Sequence, residues 1–374
     1  MSGGVATRAG TERYAAVQGA ACAQGHFSDF LSLHLKLSSL GVGTFPGEAN
    51  DATDAALAEI VERAVLNGIN VIDGAAHYRY GRALHAVGEG LARAFAAGVA
   101  RDAVFVSVKG GFLTQPDGPP ADFGAWFGRE IAAAGLGAAD ALAGRHLLTP
   151  AHIAAQLAQA RDALGLDTLD LFLVDQPEVH VAARGKEAMH RALEPVFEQL
   201  ERAVDAGEIA GYGISSFAAL RVETDAPEFQ SLAALVGMAE RAAQAVRGTQ
   251  AKHHLRAVQL PFNPAMTEGF TRFSQATGKG NVASSVQAAH QLRLYTMASH
   301  VLGKGVFARE DPLAALPGLA NPAQRALQFA RSTPGVGTAL AGLSTPAHLD
   351  DLLAVARTPP LAKAAYTMLY RRAE

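Results

Sequence analysis

The chain has one cysteine, one tryptophan and almost no net charge. A lone thiol, Cys22, among 374 residues excludes an intrachain disulfide and a thiolate metal cluster. It fits a reducing compartment, and the expected location is the cytoplasm. Lysine and arginine number 32 against 35 aspartates and glutamates, for a formal net charge of −3, and no basic run stands out. Such a balance offers no attraction to a nucleic-acid backbone or an anionic membrane, so neither is expected as a partner. No apolar run approaches the ~20 residues of a membrane-crossing helix, and the opening MSGGVATRAGTERY has scattered charge where a signal peptide has an apolar stretch. What is abundant is apolar: 49% of residues are hydrophobic and 18% charged, enough to build a large core against the entropy of ordering the chain. A globular protein acting on a small molecule is the reading that remains.

Short β-branched or apolar runs recur along the chain, each followed by an Ala/Leu/Glu-rich amphipathic stretch. Strands are predicted at Ser39–Val42, Asn70–Ile72, Val104–Val108, Leu169–Val174, Gly211–Gly213, Ala257–Leu260, Leu292–Met297 and Thr338–Ala341. Helical patterns follow near 53–67, 82–97, 151–164, 187–206, 229–247, 282–290, 321–333 and 346–356. Eight such units without a break in composition predict an α/β fold of the closed (β/α)8, or TIM barrel, type, because an open sheet usually stops nearer ~6 strands. The chain is longer than the ~250 residues of a bare barrel. The excess is assigned to an N-terminal extension, 1–36, and to an insertion at 111–150 within the barrel of 37–374. That insertion lies between strand three and its helix, is rich in proline and glycine and carries Trp126. It is expected on the carboxyl face of the strands, either over substrate or as a plain surface excursion.

Strand two ends NVIDGAAHYRYG and strand three ends VSVKGG, which brings Asp73, Tyr78 and Lys109 to one rim. A lysine ammonium stabilises a phenolate, and an aspartate can hold that lysine by an ion pair, so Tyr78 becomes a proton donor to a carbonyl. Singly, each has an ordinary structural role: a rim aspartate caps the next turn, a loop tyrosine packs, a lysine after a strand is solvated. Their joint appearance on adjacent strands is what points to chemistry.

In order along the chain, LSSLGVGTF, NGINVIDGAAHYRYG, VFVSVKGGF, LDTLDLFLVDQPE, LERAVDAGEIAGYGISSF and GVGTALAGLSTPAHLDDLLA resemble the signature segments of the aldo-keto reductase family, over about residues 36 to 357. AVQLPFNPAM and the long segment after strand three are similar to a bacterial branch. The resemblance implies reduction of aldehydes and ketones with a nicotinamide cofactor, usually NADPH, bound without a Rossmann domain. It gives Asp73, Tyr78 and Lys109 three of four tetrad positions. The fourth, a histidine in the family, is Asp175 here. An ionised aspartate only accepts hydrogen bonds and repels charge developing on a carbonyl oxygen, whereas a protonated one donates. A steroid double-bond reductase branch with glutamate at this position implies reduction of a conjugated C=C as the other outcome.

The resemblance also carries cofactor contacts. Ser215 and Ser216 stand where a Ser-Asn pair holds the nicotinamide carboxamide, and Gln259 is their partner on strand six. Leu302 belongs to the loop after strand seven, and Gly342, Ser344, His348 and Asp351 to the last unit, where a helix N-terminus suits phosphate. Ser344 or Thr345 before Pro346 equally makes an ordinary helix start. Leu84, Ser299 and Asp351-Leu352 depart from the family's glutamate, aromatic and Glu-Asn. Arg331 is a candidate for a 2′-phosphate, and His77 or His180 for the missing hydrogen-bond donor. The leading expectation is an NAD(P)H-dependent oxidoreductase acting on a carbonyl or α,β-unsaturated carbonyl, with no metal. The alternatives are a cofactor-binding barrel without turnover and a non-redox acid–base or metal-assisted enzyme using Asp73 and Asp175, with His77 and His180 as further ligands. The substrate pocket is assigned to loops 111–150, 176–186, 217–228 and 261–281.

Overall fold

Local signals mark the helix starts plainly. Asn50, Thr149, Ser231, Ser284, Asn321 and Thr345 each turn a side-chain oxygen onto an N–H of the first turn, satisfying donors that have no partner inside the helix. Pro150, Pro322 and Pro346 follow three of these caps, where the missing N–H costs nothing.

The computed structural model describes residues 3–371 apart from 31, 116, 117, 119, 134–140, 143, 144, 278, 279, 315 and 317. In chain order the elements are α1 (Arg8–Gln18), β1 (Phe27–Phe30), β2 (Leu35–Ser38), β3 (Leu40–Gly43), α2 (Asp51–Leu66), β4 (Val71–Ala75), α3 (Arg82–Ala96) and β5 (Phe105–Gly110). There follow α4 (Phe123–Ala133), β6 (Ala141–Leu142), β7 (His146–Leu147), α5 (Pro150–Leu164), β8 (Leu171–Asp175), α6 (Val181–Arg184), α7 (Lys186–Asp205), β9 (Tyr212–Ser215) and α8 (Leu232–Arg247). The chain continues with β10 (Leu255–Pro261), α9 (Glu268–Thr271), β11 (Phe273–Ala276), β12 (Val282–Ser284), α10 (Ser285–Gln291), β13 (Tyr295–Ser299), α11 (Pro322–Arg331), β14 (Thr338–Gly342), α12 (Pro346–Ala356) and α13 (Lys363–Arg371).

Eight strands close into a barrel in the order β10-β13-β14-β3-β4-β5-β8-β9, with parallel pairing throughout. This is the predicted (β/α)8 barrel. The expected insertion 111–150 includes residues outside the described set. Its described part holds α4 and a short pairing of β6 with β7, and Phe112 bridges His146.

Side chains alternate across each strand. Ile72, Val106, Val108, Phe172, Val174, Ile214 and Val258 face out and pack with the helices. Val71, Phe105, Leu171, Leu173, Ala257, Tyr295, Met297 and Leu340 face in and form the barrel's apolar floor. Close fit inside requires small residues at some inward positions. A Cβ on Gly213 would sit 2.3 Å from the Ala257 carbonyl oxygen and 2.7 Å from Leu173 Cδ2. The β1–β2 hairpin covers the amino-terminal end: Leu35 and Leu37 join the floor cluster, and the Phe30 ring meets Tyr295 edge-on at 4.7 Å.

Candidate active site

The inward alternation that builds the floor continues one step further along each strand and turns polar. Asp73 follows Val71 on β4, Lys109 follows Phe105 and Ser107 on β5, Asp175 follows Leu171 and Leu173 on β8, Ser215 follows Gly213 on β9 and Gln259 follows Ala257 on β10. All five are buried. Parallel register sets them beside one another: Asp73 lies across from Ser107, Asp175 from Ser215, and Ser215 from Gln259.

Their side chains form one network. Lys109 Nζ donates to Asp73 Oδ2, while Asp73 Oδ1 accepts from Ser107 Oγ at 2.7 Å and Gln259 Nε2 at 3.1 Å. Burying a charged pair is costly unless its remaining lone pairs are met, and Asp73 has donors on both oxygens. Burial alone would lower the Lys109 pKa, but Asp73, Tyr78 and Asp175 outweigh it and hold the amine above its ordinary value, charged.

Tyr78 reaches this group from the loop after β4. Arg79, Tyr80 and Gly81 have φ of 49, 59 and 87°, a left-handed run that turns the chain back into α3. Asp54 on α2 holds the turn, accepting from Arg79 Nη1 at 2.8 Å and from Arg82 Nε at 2.7 Å. Tyr78 is half-buried, with Lys109 Nζ 5.2 Å from its ring centroid and the exposed Phe45 ring edge-on at 5.1 Å. Burial raises the phenol's pKa, the Lys109 charge opposes this, and Asp175 and Asp73 add to the rise, so the hydroxyl keeps its proton.

Asp175 Oδ1 accepts from Ser215 Oγ at 2.9 Å. Burial pushes the carboxyl up, against Lys109 and the Ser215 bond, to about 6. A carboxyl in that range exchanges its proton near neutrality and serves as donor or acceptor accordingly. Its backbone is held by a residue that sequence reasoning did not single out. His146 on β7 stands 2.7 Å through Nε2 from the Asp175 carbonyl oxygen and 2.9 Å through Nδ1 from His180 Nε2. Burial lowers His146 to about 3 and His180 to about 4, so both rings are neutral. Nε2 of His146 must then carry the proton that meets the carbonyl, Nδ1 must accept, and His180 Nε2–H must donate to it. His180 is thereby committed to His146 rather than free to supply a donor at the tetrad. His77 packs between Tyr78, at 4.9 Å, and Phe112, at 5.1 Å, and its Nδ1 is buried without a partner. Burial, and then the Lys109 charge, lower it to about 4. Among the described residues no group of three His, Cys, Asp or Glu side chains is gathered to hold a metal ion.

Ser216 directs its hydroxyl to Glu178 Oε1 at 2.8 Å, and the same oxygen accepts from the N–H groups of Phe217 at 2.8 Å and Ala218 at 3.2 Å. Glu178, also missed in the sequence, thus ties the loop after β9 to the end of β8. Ser299 ends β13, and its carbonyl accepts from Phe262 N at 2.9 Å. The adjoining His300 ring meets Phe217 edge-on at 5.1 Å. Leu302 is half-buried and leads into a bend in which Gly303, Lys304 and Gly305 all have positive φ. Gly342 ends β14, and a Cβ there would meet Pro46 Cγ at 2.8 Å. Ser344 Oγ lies 3.3 Å from His348 Nδ1 at the exposed start of α12. Asp351 Oδ1 accepts from Asn321 Nδ2 at 2.7 Å and Gln324 Nε2 at 2.8 Å, fastening α12 to α11. Leu84 is buried in the core.

Arg331 corrects an expectation. It is buried at the end of α11, where Nε donates to Gln328 Oε1 at 2.7 Å, Nη1 meets Ser39 Oγ at 3.5 Å and Nη2 donates to the Thr358 carbonyl. Ser39 precedes β3, so the guanidinium lies at the amino-terminal end of the strands, opposite the tetrad positions, and is not available to a 2′-phosphate there.

A nicotinamide carboxamide needs hydroxyl and amide partners side by side at the mouth. Ser215 Oγ and Gln259 Oε1, 3.4 Å apart on neighbouring strands, are such a set, so the residues present fit the nicotinamide end.

The model of the Aldo/keto reductase family matches residues 39–371. Among solved structures, the chain is similar to an aldo-keto reductase from Bacillus halodurans in its holo form, at 15% identity and a TM-score of 0.60, covering 92% of this chain and 95% of that one. It is similar to an aldo/keto reductase from Klebsiella pneumoniae in complex with NADP and acetate, at 19% identity and 0.59, covering 93% and 95%. A Klebsiella pneumoniae aldo-keto reductase in complex with NADPH matches at 18% and 0.57, covering 91% and 92%. No curated protein matches. At such identities these structures attest the fold, and the match of the family model over most of the length carries the assignment: the chain belongs to the aldo/keto reductase family.

Proposed function

We propose that this chain is an NADPH-dependent oxidoreductase that reduces a carbonyl or α,β-unsaturated carbonyl in a small molecule, with Tyr78 as proton donor. The observation that carries the proposal is the joining of buried Asp73 and Lys109 beneath the protonated Tyr78 phenol, at the strand ends where barrel enzymes do their chemistry. NADPH, when bound, supplies the hydride. NADH is the other carrier to test, since no lysine or arginine lies between Ala341 and Leu352 to favour a 2′-phosphate. Ser215, Ser216 and Gln259 would hold the carboxamide, and Leu302, Gly342, Ser344 and His348 the remainder. Asp351 would act on the adenine end through Asn321 and Gln324, which it already holds.

Tyr78 would give its proton to the substrate oxygen. Lys109 stabilises the phenolate left behind, and Asp73 keeps the ammonium charged and aimed. Neutral, Asp175 donates to the same oxygen and draws electron density from a conjugated carbon; ionised, it repels the growing charge. The same reading assigns residues 1–36 as an extension of a barrel formed by 37–374, and the cytoplasm as the location.

A cofactor-binding barrel without turnover is the second reading. Its support is that Asp175, accepting from Ser215, would while ionised repel the charge growing on a substrate oxygen. Acid–base chemistry through Asp73 is less well supported, because three donors already occupy that carboxylate.

The test is a titration with NADPH and with NADH, followed by nicotinamide fluorescence and calorimetry, then a panel of aldehydes, ketones and enones. Binding with oxidation of the cofactor is expected. Binding with no consumption across the panel selects the second reading, and failure to bind either cofactor overturns both.

A further inference from the structure

Ser215 has one hydroxyl hydrogen and two acceptors beside it. Asp175 Oδ1 is at 2.9 Å and Gln259 Oε1 at 3.4 Å, so the hydrogen goes to the carboxyl. Resting on the reading that Ser215 also contacts the nicotinamide carboxamide, we propose that the cofactor and Asp175 compete for this one hydrogen, so that cofactor binding drives a proton onto Asp175.

A carboxamide oxygen arriving at Ser215 needs the hydrogen that Asp175 now accepts. Asp175 is buried, and among the described residues Ser215 is the side chain that donates to it. Without that bond the charged form loses its hydrogen-bonded partner, and a buried carboxylate responds by binding a proton. The groups facing it from neighbouring elements are Lys109 on β5, Asp73 on β4, Tyr78 on the loop after β4 and Glu178 beyond β8, with the neutral His146 ring of β7 on its backbone carbonyl. Lys109 favours the charged form, Glu178 and Asp73 disfavour it, and the Ser215 bond is the contribution that a ligand at the mouth can withdraw. Lys109 remains engaged with Asp73. Asp175 is therefore loaded as a hydrogen-bond donor when cofactor is present, and it stays predominantly an acceptor when the site is free at neutral pH. Ser215 acts here as a positioning residue, through the carboxyl it releases.

Calorimetric titration of the full chain with NADPH and with NADH at pH 7, in phosphate and in Tris, reads proton exchange directly from the difference in heats. Uptake approaching about one proton per cofactor is expected, with affinity falling as pH rises from 6 to 8 by no more than about tenfold per unit. Asp175→Asn should bind cofactor, lose that uptake and flatten the pH dependence. Using NADH as well as NADPH separates the effect from titration of a 2′-phosphate. Binding without proton uptake, or uptake that persists unchanged in Asp175→Asn, overturns the inference and leaves the proposed function standing. Failure of both cofactors to bind overturns the proposed function, and this inference with it.

Discussion

Gln259 and Asp73 are bonded across the full width of the barrel. Nε2 of one lies 3.1 Å from Oδ1 of the other, although β10 and β4 are four strands apart in either direction around the closed order. This bond ties the proposed cofactor face to the proposed proton-donating face. Gln259→Leu removes it while Ser107 and Lys109 continue to serve Asp73. The expected loss of stability is about 1–2 kcal/mol by urea denaturation, with weaker cofactor binding in the same protein. Unchanged affinity would show that Gln259 is structural only.

Tyr78→Phe separates the proton from the packing. The ring keeps its contacts with Phe45 and His77, so fold and cofactor affinity should be retained, while kcat falls by about 10²–10⁴. A variant with near-normal kcat would assign the proton to another group.

Lys109→Met leaves Asp73 buried without its counter-charge. A loss of about 3–5 kcal/mol is expected, because the penalty of the remaining charge outlasts the attraction that offset it. Adding Asp73→Asn should return part of that stability without returning activity. Equal stability of the single and double variants in a denaturation series would show that the pair is not coupled.

The Asp175 carboxyl gives a pH dependence whose sign can be worked out. Its pKa is about 6 in the fold against an ordinary 3.8, raised by burial. The folded state thus holds this proton more tightly than the unfolded chain. Its contribution favours folding most below about pH 4 and is lost as pH rises towards 6, by up to about 3 kcal/mol. Asp175→Asn removes the penalty, so its stability relative to the parent should be greater at pH 8 than at pH 4, measured by thermal or urea melts. If neutral Asp175 also takes part in turnover, kcat in the parent should decline as pH passes the carboxyl's pKa with cofactor bound.

Much of the fold was legible because barrel strands and helix caps are local. The β8 run ends in the structure at Asp175, one residue beyond the predicted Leu169–Val174, and α12 spans the predicted 346–356. What escaped depends on distance in the chain. The β1–β2 hairpin has only four-residue strands and runs across the boundary at 36 between the expected extension and the barrel, and its meaning lies in the floor it covers. Nothing near His146 announces that its ring will meet Asp175 and His180, 29 and 34 residues away. Motif order brought Asp73, Tyr78 and Lys109 to one rim, but it could not show that Ser215 and Ser216 each direct their hydroxyl to a carboxylate. Arg331 looked available because charge is visible in a sequence, whereas the carbonyl and amide that bind it are not.

The hairpin over the amino-terminal end has a consequence for traffic. With Leu35, Leu37 and Phe30 packed on the apolar floor, the described residues close the amino-terminal end and leave Lys109 and Asp175 to be approached from the carboxyl side of the strands. On the proposed function, cofactor and substrate would share that side, and whichever lies deeper would enter first and leave last. On that same reading, a floor sealed at one end would thus make the order of binding a matter of depth.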